Sequence, residues 1–400
     1  MPPEPPRPAP ALQPTAAPKP RARPKPPRPE NMVWSFPDGL LPEERAIPLR
    51  TAPAVDPSGR VFLQYQDRLV ALVEEDKKPK LLWEYVIGSR APGPVVLGPQ
   101  DTIRLHCCDG YLHCLDAAIG KQVWSPANVG EPLGYAVPVV DRDGSTWVSS
   151  HGGGLARVDY QGRIQSPPFF RSRQKFDSPA VVSDGVLYVG SELGYLFAID
   201  IRSDHGTNQW NHAIDQGYVG VVRSAPLVTP DKVVVVAGQG ECLYGVAPVG
   251  TLAWKTQMPG QILGSPVADR HGHIYLGLSQ APRGMDPRGV LVCVDGNSHK
   301  VRWEYRTAAP VESTPVIGDD DLIYFGDNAG VIHAVNLSGK AQWTADVGSP
   351  VRSAGTFLAP KRLAFGLDNE SLVVLDCSSG GLAAEGWPKV GRTLGQNGLA

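Results

Sequence analysis

The stretch SPAVVSDGVLYVGSELGYLFAID, residues 178–200, contains three short apolar runs separated by two turns. An Asp-Gly pair follows the first run, and a second turn containing Gly194 follows the next. β-Branched and aromatic residues in short runs of this kind, without a helical period, predict consecutive antiparallel strands joined by hairpins. Trp210 lies in a further run of the same type. Together these runs predict one four-stranded antiparallel unit.

The same unit recurs along the chain. It starts at a short apolar segment anchored on Pro53, Pro94, Pro138, Pro179, Pro226, Pro266, Pro315 and, the eighth time, Gly355. The spacings between these anchors are 41, 44, 41, 47, 40, 49 and 40 residues. Four short strands per period of this length, without an amphipathic helix, are typical of β-propeller blades. We therefore predict an all-β, eight-bladed β-propeller of four-stranded antiparallel blades over residues 31–400. The predicted blades lie near 51–85, 91–125, 135–169, 176–212, 223–258, 264–305, 312–346 and 352–389.

Tryptophan recurs on the predicted outer strands, in every blade except the third. The positions are Trp83, Trp124, Trp210, Trp254, Trp303, Trp343 and Trp387. A flat indole can wedge between neighbouring blades and bury a large apolar area, so we predict a structural docking role for these residues. The segment NMVWSF (31–36) resembles one more outer strand. It competes with the segment around Trp387 for the position that closes the ring, and the sequence leaves both open.

Two phrases carry the outer-strand pattern most clearly, LDAAIGKQVW (115–124) and VNLSGKAQW (335–343). They resemble the tryptophan-docking repeats of the pyrroloquinoline quinone (PQQ)-like propeller superfamily, and the resemblance covers about 370 residues. In style the chain is nearest to the propeller lipoproteins of the bacterial barrel-assembly machinery. It differs from them in having a Pro-rich lead-in and no lipobox cysteine.

The resemblance implies two functions. The first is a non-enzymatic protein-interaction scaffold or ligand-binding module in envelope protein assembly, which needs no catalytic residue, cofactor or metal. The alternative is a PQQ-dependent alcohol or sugar dehydrogenase, in which PQQ and calcium occupy the funnel and an Asp acts as base. No residue set here matches the metal ligands and base of those enzymes one by one. We therefore predict the scaffold.

Residues 1–30 form a Pro-rich basic arm. They contain 13 prolines, six Lys or Arg and two Glu, so their net charge is 6 − 2 = +4. This composition predicts a disordered, extended spacer rather than a packed domain. For the whole chain the net charge is −2, which argues against a nucleic-acid partner, and no apolar run is long enough for a transmembrane segment. We expect a monomer, located in the periplasm or cell envelope if a signal has been removed and in the cytoplasm otherwise.

One mouth of the central channel is predicted to be lined by the residue three positions before each anchor. That column contains Arg50, Ala91, Tyr135, Phe176, Arg223, Leu263, Glu312 and Arg352. Its three arginines, one glutamate and two aromatics suit a small anionic or polar ligand. The candidate rim residues are therefore Arg50, Tyr135, Phe176, Arg223, Glu312 and Arg352. In the alternative interpretation they are solvated linker residues around a wide opening.

A lengthened hairpin marks the predicted partner surface. The segment SQAPRGMDPRG (279–289) in blade six extends the hairpin between the second and third strands by eight residues. Such hairpins share one face with the linkers between blades, and long loops on a repeat scaffold often make the specific contacts. We therefore expect a protein partner on this loop face. The candidate contact residues are Arg283, Met285, Asp286 and Arg288.

Three of the six cysteines fall in RLHCCDGYLHC (104–114). Cys114 and Cys293 take positions where other blades place Ala, so we predict that they fill space in the core. Cys107 and Cys108 occupy a hairpin corner and form a candidate redox pair, because adjacent cysteines can form a disulfide ring. A zinc site is disfavoured, since the segment has no Cys-x-x-Cys pair. The loops DRDGS (141–145) and GDDDL (318–322) resemble calcium loops but lack the downstream carboxylate, which favours plain turns.

Overall fold

The structure is a computed structural model. It describes residues 28–37, 49–65, 67–89, 91, 93–130, 137–141, 143–149, 152–165, 169–203, 205–214, 222, 224–238, 241–281 and 286–389. Most of the predicted Pro-rich arm, residues 1–27, lies outside this part. All elements of regular secondary structure in the described residues are β-strands, and none of those residues belongs to a helix suited to crossing a membrane.

Eight antiparallel sheets form a β-propeller ring, which confirms the predicted all-β, eight-bladed fold. The first strand, β1, is Met32–Phe36 and joins the last blade. Blades one to four follow in chain order. Their strands are β2 Ala54–Val55, β3 Val61–Tyr65, β4 Arg68–Glu75, β5 Lys78–Val86; β6 Val96–Gly98, β7 Thr102–His106, β8 Tyr111–Asp116, β9 Ala127–Asn128; β10 Val139–Val140, β11 Thr146–Ser149, β12 Gly154–Val158, β13 Phe170–Arg171; β14 Val181–Ser183, β15 Val186–Gly190, β16 Tyr195–Asp200 and β17 Thr207–Ala213.

Blades five to eight continue the order, and blade six has one extra strand. Their strands are β18 Leu227–Val228, β19 Val234–Ala237, β20 Cys242–Val246, β21 Leu252–Gln257; β22 Gln261–Ile262, β23 Val267–Ala268, β24 Ile274–Gln280, β25 Arg288–Val294, β26 Val301–Thr307; β27 Val316–Ile317, β28 Leu322–Gly326, β29 Val331–Asn336, β30 Ala341–Asp346; β31 Thr356–Ala359, β32 Arg362–Gly366 and β33 Leu372–Asp376. The second and third strands of the blades form the core, whereas outer strands such as β26 alternate between exposed and half-buried residues.

The ring is closed by β1, which settles the alternative that the sequence left open. β1 pairs with β33 in antiparallel register, with Trp34 opposite Val374 and Phe36 opposite Leu372. The indole N–H of Trp34 donates to Glu74 Oε2 of blade one at 2.8 Å. The first and last blades are therefore joined by a strand from the start of the chain, and this pairing covers the edge that β33 would otherwise expose.

The prediction that Trp387 docks from an outer strand is wrong. Trp387 is buried and exchanges two backbone hydrogen bonds with Ala268 on the innermost strand of blade six. Its neighbour Pro388 accepts a hydrogen bond from the Ile317 N–H on the innermost strand of blade seven. Residues 377–389, here called the C-terminal segment, therefore cross from blade eight to the inner strand edges of blades seven and six. The place expected for Trp387 is taken by Trp34.

Three aspartates lie in the turn between β27 and β28, and two of them bind the C-terminal segment. Asp319 Oδ1 accepts hydrogen bonds from Ser379 Oγ at 2.8 Å and from the Gly380 N–H at 2.7 Å. Asp320 Oδ2 accepts one from the hydroxyl of Ser378. Asp321 takes a bidentate contact from Arg270 of blade six. The calcium-like sequence GDDDL is thus a turn whose carboxylates already have protein donors.

The indole rings lie against the turn between the third and fourth strands of the next blade. A Cβ added at Gly120 would come within 2.5 Å of the Trp83 ring, and Gly120 also has a positive φ of 66°. The Trp83 N–H donates to the Ala117 carbonyl at 3.0 Å, and the Trp210 N–H donates to the Pro248 carbonyl at 2.8 Å. Close backbone approach and a left-handed conformation explain why glycine occupies this turn.

Blades two and three vary this arrangement. In blade three, which has no outer-strand Trp, Phe169 and Phe170 contact Gly206 of blade four. In blade two, Arg104 takes the position where other blades place aromatics such as Tyr188. The Arg104 guanidinium lies 5.5 Å from the centroid of the Trp124 ring, and within the described part of the chain the Trp124 N–H has no hydrogen-bond partner. The sequence therefore uses different side chains to fill the same interblade space.

Candidate functional site

The hairpins between the second and third strands lie on the same face as the linkers between blades. The Asn328 N–H in a blade-seven hairpin donates to the carbonyl of linker residue Pro310 at 2.9 Å. The Asp368 N–H in blade eight donates to Pro350 in the same way, at 3.0 Å. We call this surface the loop face. The C-terminal segment contacts the opposite ends of the blades, since its Ser379 carbonyl accepts from the Lys361 N–H in the turn between β31 and β32.

On the loop face the rim charges of blades seven and eight form an ion-pair cluster. Arg352 Nε lies 3.1 Å from Glu312 Oε1, and Arg352 also forms a short ion pair with Asp368. Arg50 Nε lies 3.7 Å from the second oxygen of Asp368, and Asn328 Nδ2 donates to Glu312 at 2.7 Å. Each of the two arginines faces a carboxylate. An anionic ligand at this place would have to displace Asp368 or Glu312, so the predicted anion site remains a prediction.

The remaining rim candidates differ in their placement. Phe176 was expected at the channel mouth, but it is fully buried, so its proposed ligand contact is wrong. Its backbone forms an isolated antiparallel β-bridge with Ser191. Its ring centroid lies 5.4 Å from that of Phe197, in an edge-to-face contact. The ring therefore belongs to the core between blades three and four. Tyr135 and Arg223 lie outside the described residues.

The blade-six hairpin projects from the loop face as an extension of its sheet. β24 and β25 remain paired as far as Gln280 opposite Arg288, and β22 adds a further strand through Gln261 opposite Ser279. Gln280 Nε2 also donates to the Pro259 carbonyl at 2.8 Å. Asp286 and Arg288 are exposed at the outer end, whereas Arg283 and Met285 lie outside the described residues. The paired strands therefore hold Gln280 and Arg288, on either side of this loop, opposite each other.

The cysteine-rich hairpin of blade two brings together three side chains that can bind a metal. Cys107 Sγ, one carboxylate oxygen of Asp109 and a ring nitrogen of His113 all lie within 4.8 Å of one another. Cys107 and His113 are buried, whereas Asp109 is exposed. Burial raises the pKa of the Cys107 thiol and lowers the pKa of His113. Cys107 is buried and Cys108 beside it is exposed, and their role as a redox pair remains a prediction.

The described carboxylates of the GDDDL turn and of the rim cluster do not fit a calcium ion of the kind that the dehydrogenase alternative requires. Calcium prefers six to eight oxygen ligands, most of them from carboxylates and carbonyls. Asp319 and Asp320 accept from the C-terminal segment, while Glu312 and Asp368 pair with Arg352. The C-terminal segment also takes inner strand edges of blades six and seven. We therefore derive no step through PQQ or calcium.

The comparison with protein families decides the relationship. A family model described as "Outer membrane protein assembly factor BamB" matches residues 31–222, 109–268 and 239–387. These ranges together span every strand of the propeller. The chain belongs to this family. A relative, the outer membrane protein assembly factor BamB of Moranella endobia (strain PCIT), is 22% identical to this chain over 324 residues. The aligned region covers 73% of this chain and 70% of that protein.

Solved structures share the same architecture. BamB from Moraxella catarrhalis superposes with a TM-score of 0.65 at 15% identity, covering 83% of this chain and 98% of that one. Quinohemoprotein alcohol dehydrogenase from Comamonas testosteroni gives a TM-score of 0.69 at 14% identity, covering 88% of this chain and 77% of that one. At such identities the likeness shows the fold alone. It confirms the PQQ-like propeller and does not choose between assembly and oxidation.

Proposed function

We propose that this chain is a protein-binding propeller that assists the assembly of outer-membrane proteins without catalysing a reaction. The observation that carries the proposal is the family match, because it extends over residues 31–387 and so includes all eight blades. The family is that of the outer membrane protein assembly factor BamB, and the relative from Moranella endobia is also such a factor. We accordingly place the propeller in the cell envelope, with the Pro-rich residues 1–30 as a spacer.

The blade-six hairpin is our candidate for the partner contact. Its exposed outer residues include Asp286 and Arg288, and its base is held by two neighbouring strands and by the Gln280 bond to Pro259. Residues held on paired strands, such as Arg288, lose less conformational entropy on binding than residues of a free loop. The rim cluster around Arg352, by contrast, satisfies its own charges. These two observations favour the hairpin over the channel mouth.

Site-specific photo-crosslinking tests the partner contact. A photoreactive amino acid at Arg288 should crosslink, in the cells that produce the protein, to a component of the outer-membrane β-barrel assembly machinery. The matched control is the same amino acid at Lys340, which is exposed in a turn away from the loop face. Crosslinks of equal yield at both positions, or none at Arg288, would count against the hairpin.

The catalytic alternative is tested by titrating the purified protein with PQQ, with and without calcium. The chain has nine tryptophans, so a quinone bound in the channel would quench its fluorescence. We expect no saturable quenching, because the carboxylates of Asp319, Glu312 and Asp368 already pair with protein groups. Saturable, calcium-dependent quenching would refute the non-catalytic proposal.

A further inference from the structure

We infer that the blade-two hairpin is a binding site for one divalent transition-metal ion of the Zn²⁺ type, with Cys107, Asp109 and His113 as its ligands. These residues supply one thiolate sulfur, one carboxylate oxygen and one imidazole nitrogen, all within 4.8 Å of one another. Sulfur, nitrogen and oxygen donors in one set suit Zn²⁺, which takes three or four such ligands. This site is independent of the proposed assembly function.

The fold places the ligands on one face of the hairpin. Leu105 lies opposite His113 in the β7–β8 pairing, and the Cys107 N–H donates to the Tyr111 carbonyl. Side chains alternate across a strand, so Cys107 and His113 share the face that packs against blade one. Asp109 follows at the tip of the hairpin, where its Oδ1 accepts from the Tyr111 N–H at 3.1 Å. Its position at the exposed end gives an ion a route from solvent.

An unpartnered nitrogen is the second observation. His113 is only 5% exposed, and its Nε2 has no hydrogen-bond partner among the residues that the structure describes. Its Nδ1 lies 3.2 Å from the hydroxyl oxygen of Tyr85 in blade one. A His that binds a metal through Nε2 commonly donates its Nδ1–H to such an oxygen, which fixes the tautomer. Buried polar atoms rarely lack a partner, so the vacant Nε2 points to a ligand.

Blade seven provides an internal comparison. His333 occupies the position equivalent to His113, and its Nδ1 lies 3.3 Å from the hydroxyl of Tyr305. There, however, Nε2 lies 3.2 Å from Asp327 Oδ2, so the imidazole is satisfied. In blade two, Cys107 occupies the position equivalent to Asp327. In blade seven the Tyr–His pair thus ends in a hydrogen bond to the Asp327 carboxylate. In blade two the equivalent pair lies beside the Cys107 thiol and the Asp109 carboxylate.

Metal binding would replace the proton of the Cys107 thiol. The sulfur then donates an electron pair to the ion, and the proton leaves to solvent, with no oxidant or reductant required. The thiolate and the Asp109 carboxylate together offset the two positive charges of the ion. A solvent molecule on the exposed Asp109 side would complete a four-coordinate sphere.

Cobalt and zinc titrations of the reduced, metal-stripped full chain test the site. We expect one equivalent of Co²⁺ to give a thiolate-to-metal charge-transfer band with visible bands of tetrahedral intensity, and Zn²⁺ to displace it. Cys107→Ser should abolish the charge-transfer band. Asp109→Asn changes an exposed residue, so it should fold normally and weaken binding at least about tenfold. Cys108→Ser is the matched control and should bind Co²⁺ like the native chain.

Two results would overturn the proposal. One is the absence of stoichiometric Co²⁺ binding by the native chain. The other is binding that survives in folded Cys107→Ser and Asp109→Asn but disappears in Cys108→Ser. Far-ultraviolet circular dichroism of each variant separates loss of the site from loss of the fold.

Discussion

Lys389 gives the sharpest prediction about stability. Its side chain is completely buried at the end of the C-terminal segment, and its Nζ donates to Thr356 Oγ1 at 2.7 Å. Burial lowers the pKa of Lys389 from 10.5 to about 7. The unfolded chain, whose lysine keeps the ordinary pKa, therefore binds one more proton between about pH 7 and pH 10.5. The buried lysine destabilises the fold most below pH 7, and this cost shrinks as the pH rises.

The size of the effect follows from that difference in pKa. At 1.36 kcal/mol per pH unit, the interval between 10.5 and about 7 corresponds to about 5 kcal/mol. Losing the hydrogen bond to Thr356 offsets about 1 kcal/mol of this. We expect Lys389→Met to raise the free energy of unfolding by roughly 4 kcal/mol at about pH 6. The gain should decline through pH 8 and 9 and reach zero at about pH 10, where the remaining cost of the buried lysine equals the lost hydrogen bond. At pH 10.5 the variant should be slightly less stable than the native chain.

Urea denaturation followed by tryptophan fluorescence, at several pH values from 6 to 10.5, measures this difference. Lys340→Met serves as the control because Lys340 is exposed, and its effect should stay within about 0.5 kcal/mol at every pH. If the difference in free energy of unfolding between Lys389→Met and the native chain does not depend on pH, the buried charge does not set the stability. A less stable Lys389→Met at pH 6 would lead to the same conclusion.

Three further predictions concern packing, and thermal or urea denaturation measures each. Trp83→Phe should cost about 1 kcal/mol more than Trp124→Phe, because only the Trp83 N–H has a hydrogen-bond acceptor; equal costs would contradict this. Gly120→Ala should cost roughly 2 kcal/mol more than Gly88→Ala, since both have positive φ but only Gly120 lies against an indole; similar losses would remove the steric argument. Phe176→Ala should cost about 3 to 5 kcal/mol as a core residue, and an unchanged melting temperature would return it to the channel rim.

The repeat period made the fold predictable from sequence. Most blades place similar residue types at similar offsets from their anchor, so a wrong prediction for one strand leaves the other blades unaffected. Closure was not predictable, because the segments around Trp34 and Trp387 both resemble an outer strand. Which one pairs with β33 depends on contacts between residues about 340 positions apart in the chain, such as Trp34 and Val374. Periodicity contains no information about such pairing.

The candidate sites were predicted less completely. The predicted channel rim required every linker between blades to have the same backbone geometry. The backbone of Phe176 instead forms an isolated β-bridge with Ser191, and its ring is buried. In the cysteine hairpin, the absence of a Cys-x-x-Cys pair disfavoured a zinc site. That pattern does not show that Cys107 and His113 lie on the same face of the hairpin. The spacing Cys-x-Asp-x-x-x-His around an Asp-Gly turn was the available signal, and only the pairing register gives it meaning.

The assembly role itself is tested most directly by removing the protein from the cells that make it and measuring folded outer-membrane β-barrel proteins by their heat-modifiable migration. Folded barrels should decrease when the protein is removed, and the native chain should restore them. A variant in which a two-residue Asn-Gly turn replaces residues 281–287 should fold but restore them poorly. If the level of folded barrels is unchanged after removal, under normal growth and under envelope stress, the protein does not assist their assembly.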